Sequence, residues 1–176
     1  MAEERVVLVD NKDKEIGTEE KIRAHDNGGK LHRAFSVFIF NSKGEMMIQQ
    51  RARSKYHCGG LWTNTCCSHP RPGETAVEAG HRKLQQEMGF DTDLKEAFTF
   101  IYRAEFDNGL TEHELDHALI GTYDGEPRPN PEEAGNWKWA NLEELRKDVR
   151  ESPEKYTPWF KKVLDRIIKF VNSHSS

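Results

Sequence analysis

A chain of 176 residues, 35% hydrophobic and 32% charged, is expected to form one globular domain burying about 70% of its unfolded surface, not a disordered or fibrous protein. The formal net charge of -4 gives no overall basic footprint for nucleic acid, so an anionic ligand needs a local cluster of Lys and Arg. No apolar run reaches membrane-spanning length, and the opening MAEERVVLVD lacks the apolar core of a signal peptide. Three cysteines, an odd number, fit a reducing cytoplasm better than a disulfide framework, so a cytoplasmic protein is expected.

RVVLVD (5–10) reads as a first strand, and NKDKEIG as a turn leading into a short extended piece. Thr18 is placed to cap a short helix ending at His25. HRAFSVFIF (32–40), β-branched and aromatic throughout, predicts a strand buried on both faces. NSKG is a hairpin turn, with the returning strand over 45–51. Proline and glycine dominate 57–73, which predicts a long ordered loop, a frequent place for chemistry.

From 74 to 88 the apolar and small residues fall at helical spacing, with Gly89 as the C-cap. Residues 97–106, 110–123 and 136–140 read as strands. Asn141 with Glu144 has the form of a capping box, and Thr157–Pro158 opens a final helix with an apolar stripe from Phe160 to Val171. Hairpin strands with interspersed helices predict an α+β sandwich.

Three groups of residues carry chemistry. His25, His32 and His69 are widely spaced, and in EHE the period of a strand puts Glu112 and Glu114 on one face. If they converge, three imidazoles and two carboxylates nearly complete an octahedral shell for Mn, Mg or an expanded Zn site; the bland alternative is scattered surface histidines. His57, His81, His113, His117 and His174 read as ordinary surface or packing residues. A second group is basic: Lys21, Arg51, Arg53, Lys55, Arg82 and Lys83. Alternation along a strand aims Arg51, Arg53 and Lys55 to one side as a phosphate clamp, against the alternative of a solvated strand end. Glu87 joins them if a second hard cation accompanies the phosphate. The third group is the pair Cys66–Cys67 in TNTCCSHP, too closely spaced with His69 for a zinc finger and without a second pair to complete one.

Taken in order, LHRAFSVFIFNSKGEMMIQQRARSK, GLWTNTCCSHP, the run from Glu78, TEHELDH and YTPW resemble the type I isopentenyl diphosphate isomerases of the Nudix superfamily, from about Val6 to Phe170. The resemblance implies an α/β/α sandwich around a mixed sheet. A hydrolytic Nudix box, G-x5-E-x7-R-E-U-x-E-E-x-G-U, laid over Ser68 to Phe90 finds Glu74, Arg82, Leu84, Glu87, Gly89 and Phe90 in place. It finds Ser68 for the first glycine, Lys83 for an acid and Gln86 for another, which argues against pyrophosphate hydrolysis.

The resemblance further implies a divalent ion (Mn, Mg or Zn) on His25, His32, His69, Glu112 and Glu114, and a magnesium ion shared by Glu87 and the substrate diphosphate. Lys21, Arg51, Lys55 and Lys83, with Arg82 near them, would surround the phosphates. The implied reaction converts isopentenyl to dimethylallyl diphosphate by a 1,3 proton shift. Cys67 and Glu114 transfer the protons on opposite faces, Tyr102 bonds to the carboxylate, Trp159 lies against the cation, and Cys66 packs. No nucleic acid or membrane partner is expected, and a monomer or weak dimer is. Two rivals stand beside this reading: a Nudix diphosphohydrolase of nucleotides, and a non-catalytic metal-stabilised binding module.

Overall fold

The computed structural model describes residues 4–26, 28–55 and 57–174. In chain order the elements are β1 (Arg5–Val9), β2 (Glu15–Glu20), α1 (Lys21–His25), β3 (His32–Phe40), β4 (Met46–Arg51), β5 (Trp62–Thr63), β6 (Cys66–Ser68) and α2 (Ala76–Met88). β7 (Lys95–Glu105), β8 (Thr111–Thr122), β9 (Ala134–Ala140), α3 (Leu142–Glu151) and α4 (Pro158–His174) complete them. Each long strand and helix expected from the pattern is present.

β3 is the organising strand. One edge pairs in parallel with β8 along its whole length, from His32 opposite Glu114 to Phe40 opposite Thr122. Its other edge meets β1 at Leu8↔His32, β6 across Phe35 to Val37 and β4 at Ile39 and Phe40. The β3–β8 pair is parallel and the remaining pairs are antiparallel, so the sheet is mixed.

The period of two along β3 divides the core. Phe35, Val37 and Ile39 face α2, packing with Ala76, Ala79, Leu84 and Met88. Phe38 and Phe40 face α4, with Phe160, Val163, Leu164, Ile167 and Ile168. Helices therefore cover both faces of the sheet, the expected α+β sandwich, and the near-continuous apolar run of β3 follows from burial on both sides.

Helix ends follow the local chemistry. Thr75 caps α2 through Glu78 N, and Gly89 ends it in the left-handed conformation at φ 72°. Asn141 accepts from the amides of Glu143 and Glu144 at the start of α3. The expected Thr18 cap is not formed. Thr18 lies within β2, paired with Val7, and Glu20 instead caps α1 by accepting from Ile22 N and Arg23 N at 3.1 Å each. The β1–β2 ladder runs two residues further than the propensity of the sequence suggests.

Residues 57–73 are not wholly loop, for they contain β5 and β6. β4 ends at Arg51, so Arg51, Arg53 and Lys55 do not alternate along a strand: Arg53 lies exposed in the turn that follows.

Candidate active site

Four elements bring His25, His32, His69 and Glu114 together. α1 ends in His25, β3 begins with His32, His69 follows β6 and Glu114 lies on β8 directly opposite His32. Their potential ligand atoms all lie within 4.8 Å of one another. The backbone orients two of the rings. His25 Nδ1 bonds to the Lys21 carbonyl at 2.7 Å and His32 Nδ1 to the Lys30 carbonyl at 2.8 Å. A carbonyl only accepts, so each Nδ1 carries the proton and each Nε2 turns a lone pair inward.

Both Nε2 atoms are buried without a hydrogen-bond partner among the described residues, and Glu114 Oε1 lies 3.8 Å from His32 Nε2 and 3.3 Å from His69 Nε2. Buried, inward-facing lone pairs beside a carboxylate fit a divalent ion, with the backbone carbonyls as the outer support such histidines usually have. Burial pushes His32 and His69 well below the ordinary imidazole range, and neighbouring groups that would repel a proton there (the His69 ring beside His32, the Lys21 ammonium beside His69) add to it, which keeps the rings in the ligating form.

β8 carries a row of acids on this face: Glu112, Glu114 and Asp116, at successive second positions. Glu112 stands outside the four-residue cluster. Its Oε1 lies 2.6 Å from His57 Nε2, with both side chains 7% exposed. Desolvation pushes Glu114 up to about 7, against the pull of His25, Lys21 and Arg51. Desolvation and the Glu114 charge bring Glu112 to about 7 as well, against the pull of His57. Asp116 accepts from Ser36 Oγ at 3.0 Å and is held well above the carboxylate range by burial. Tyr102 sits opposite Glu114 on β7, but its buried hydroxyl has no hydrogen-bond partner among the described residues. The expected bond to a carboxylate is therefore not formed; the phenol is instead packed in the α4 side of the core, its ring 6.4 Å from Trp159.

The TNTCC segment resolves through its neighbours. Thr63, Asn64 and Thr65 are fully buried and every side chain is bonded. Asn64 donates to the carbonyls of Val37 and Cys66 and accepts from Thr63 Oγ1 and Trp159 Nε1. Thr65 Oγ1 accepts from Ile39 N and donates to the Met47 carbonyl, and Gln49 Nε2 donates to the Thr65 carbonyl. This network pins β6 against β3 and β4, and alternation then separates the cysteines. Cys66 packs with the α2 core, and Cys67, opposite Ser36, faces the site. Burial, more than its neighbours Glu87, Glu114 and Asp116, pushes the Cys67 thiol well above its usual range, so it remains protonated.

Cys67, Glu112, Glu114, Asp116, His57 and Trp159 line one cavity of about 120 Å³. Lys21, Arg51, Lys55, Lys83 and Glu87 line it too. Lys55 pairs with Glu133 at 2.7 Å, Lys83 with Glu87 at 3.8 Å, and the Arg51 guanidinium lies 5.3 Å from the centre of the Trp159 ring. Burial raises Glu87 to about 6, against the pull of Lys83. Arg82 lies elsewhere. Two of its three guanidinium nitrogens, Nε and Nη2, donate to Glu74, at 2.9 and 2.7 Å, and it faces an outer cavity with Arg5 and Arg71.

Asp116, His57 and Glu133 also line the cavity, although the sequence does not single them out as site residues. Asp116 continues the period of Glu112 and Glu114 and was readable from it. His57 and Glu133 come from turns with no repeating pattern.

Comparison with known proteins shows the family to which the chain belongs. Residues 30–160 match the NUDIX domain family. The chain is 52% identical over 166 residues to a protein of Aromatoleum aromaticum named isopentenyl-diphosphate Delta-isomerase 2, covering 94% of this chain and 87% of that one. It is 49% identical over 158 residues to the isopentenyl-diphosphate Delta-isomerase of Serratia proteamaculans, covering 90% and 88%. Among solved structures, a protein of Deinococcus radiodurans superimposes with a TM-score of 0.74 at 21% identity over 93% of this chain and 98% of that one. A MutT protein of Methanosarcina mazei gives 0.67 at 16% identity, over 83% and 96%. At these identities the two structures bear on the fold alone.

Proposed function

This chain belongs to the NUDIX domain family and, within it, to the isopentenyl-diphosphate Delta-isomerases, and from that premise we infer that it interconverts isopentenyl and dimethylallyl diphosphate by a 1,3 allylic proton shift. The observation that carries the reading onto this chain's own residues is the cavity. Cys67 and Glu114 line it together with Trp159, and four cations, Lys21, Arg51, Lys55 and Lys83, line it as well.

An alkene is a poor base, so its protonation needs an acid held against it away from water, and removal of a different proton needs a base on the other face. β6 and β8 flank β3 on its two edges, so Cys67 and Glu114 reach the cavity from two sides. Burial keeps the thiol protonated, and the Glu114 carboxyl offers the second proton-transfer group. Between the two transfers the substrate is a tertiary carbocation. The Trp159 indole, fixed by Asn64, offers it a π face whose attraction grows as charge develops.

Lys21, Arg51, Lys55 and Lys83 bind the diphosphate, so affinity remote from the double bond orients it. Glu87 and the diphosphate would share a magnesium ion. His25, His32, His69 and Glu114, joined by Glu112, would hold a manganese, magnesium or zinc ion. Bound there, it would supply positive charge that sets the acidity of Glu114. Feeding isoprenoid biosynthesis in the cytoplasm, as one domain acting as a monomer or weak dimer, completes the proposal. No helix of the described residues is long and apolar enough to cross a membrane.

The hydrolase alternative is disfavoured because Lys83 and Gln86 replace box acids, and Lys83 is turned toward Glu87 as a counter-ion. Offering the protein isopentenyl diphosphate in one tube and a nucleoside diphosphate derivative in another separates the two. Dimethylallyl diphosphate in the first and no free phosphate in the second is the expected result. Phosphate release without isomer would overturn it.

A further inference from the structure

His57 stands in the turn between β4 and β5, beside Cys58, whose backbone adopts a left-handed φ of 55°. That conformation is unfavourable for a residue with a Cβ, so contacts around the turn must hold it there. Two are formed by His57 itself. Its carbonyl accepts from an Arg51 nitrogen at 3.3 Å, and its ring nitrogen Nε2 lies 2.6 Å from Glu112 Oε1. The ring is further packed between Phe106, at 5.0 Å, and Trp159, at 5.9 Å. One side of the turn thus reaches the cation that binds diphosphate, and the other reaches a carboxylate of the proton-transfer end. Lys55, two residues earlier, lines the same cavity.

His57 is the side-chain partner of Glu112 among the described residues, and Glu112 stands outside the cluster of His25, His32, His69 and Glu114. A carboxylate presents two oxygens. With Oε1 bonded to the imidazole, Oε2 is left to serve the cavity. A neighbouring donor that fixes a working carboxylate in this way commonly governs its performance without touching the substrate's reacting atoms.

We propose that His57 is a positioning residue for the isomerisation: it holds Glu112 by one carboxylate oxygen and, through its carbonyl and Arg51, ties that carboxylate to the diphosphate-binding side of the cavity. The inference rests on the reading that Glu112 belongs to the working site.

The experiment compares wild type, His57→Leu, His57→Gln, Glu112→Gln and the double variant His57→Leu/Glu112→Gln. Each is assayed with isopentenyl diphosphate for kcat and KM, and titrated with manganese by calorimetry. Leucine removes the donor, whereas the glutamine amide nitrogen reaches roughly the position of Nε2. His57→Leu is expected to lower kcat or manganese affinity about ten- to a hundredfold, the usual effect of losing such a support. His57→Gln should recover most of the loss. In the Glu112→Gln background the leucine change should cost nothing more, because the two residues act as one unit.

Equal losses in the Leu and Gln variants, or the same loss repeated in the Glu112→Gln background, would overturn the proposal. A Glu112→Gln protein with unaltered kinetics and metal affinity would overturn the reading beneath it. Should His57→Leu fail to fold, the contrast between His57→Gln and the shorter His57→Asn decides the matter, and equal activity of those two would refute positioning through Nε2.

Discussion

Metal affinity should fall as the pH falls, in a way that the buried carboxyls of Glu114 and Glu112 dictate. A ligating Glu114 must be ionised, and desolvation holds its carboxyl at about 7, so a metal ion binding near pH 6 has to displace close to one proton from it. Competition from a proton at about 7 weakens affinity about tenfold between about pH 8 and about pH 6 for each such ligating carboxyl, so about tenfold from Glu114 and about a hundredfold when Glu112 ligates with it, whereas a carboxyl in its ordinary range would contribute nothing over that interval. His32 and His69 add no comparable effect, because burial already keeps them neutral there, while an unshifted imidazole would add roughly fourfold each.

The perturbation is Glu114→Gln, which cannot titrate. Manganese affinity of wild type and variant is measured by calorimetry at several pH values. The variant should bind more weakly at every pH, and its disadvantage should shrink by about tenfold on going from about pH 8 to about pH 6. Parallel curves for the two proteins would refute the argument that burial shifts Glu114. A wild-type fall much steeper than about a hundredfold would mean that the histidines compete as well, against the geometry that turns their unprotonated nitrogens inward.

The two cysteines should separate in function. Cys66→Ala removes a buried sulfur from the α2 core, at about 1 kcal/mol of stability in a denaturant titration, and leaves isomerisation within about twofold of wild type. Lys55→Met should lower kcat/KM for isopentenyl diphosphate about ten- to a hundredfold, the worth of a charge-assisted contact of about 1.5–3 kcal/mol; unchanged steady-state kinetics would remove Lys55 from the phosphate site. Gly89→Ala places a Cβ 2.6 Å from the Arg128 carbonyl oxygen at φ 72°, so it should lower stability by at least about 1–2 kcal/mol without altering the assay at saturating substrate.

Much of the fold was legible because its signals are local and periodic. The largely apolar run 32–40 specifies β3 and its double burial, and the α4 stripe Phe160, Val163, Leu164, Ile167 and Ile168 reads directly as a buried face. The site was legible where residue type and period coincide, as with Glu112 and Glu114 on one face of β8. What escaped depends on contacts distant in sequence. Glu20 rather than Thr18 caps α1 because strand pairing with β1 runs on through Glu20. The pairing of Arg82 with Glu74, eight residues earlier, likewise has no signal in the residue pattern. His57 has no pattern around it and gains meaning only when the turn folds back onto Glu112. The buried hydroxyls and amide of Thr63, Asn64 and Thr65 look like ordinary loop polarity, yet they are the fixtures that hold Cys67 toward the cavity.

The central claim, that Cys67 and Glu114 exchange protons with a five-carbon diphosphate across one cavity, is tested most directly in deuterated water. The purified protein is mixed with isopentenyl diphosphate, magnesium, and a trace of manganese or zinc, and followed by proton NMR beside Cys67→Ala and Glu114→Gln. The account predicts that dimethylallyl diphosphate carrying solvent deuterium accumulates with the wild-type protein and with neither variant. Isomer formed at the wild-type rate by either variant, or no isomer with any of the metals, would contradict it.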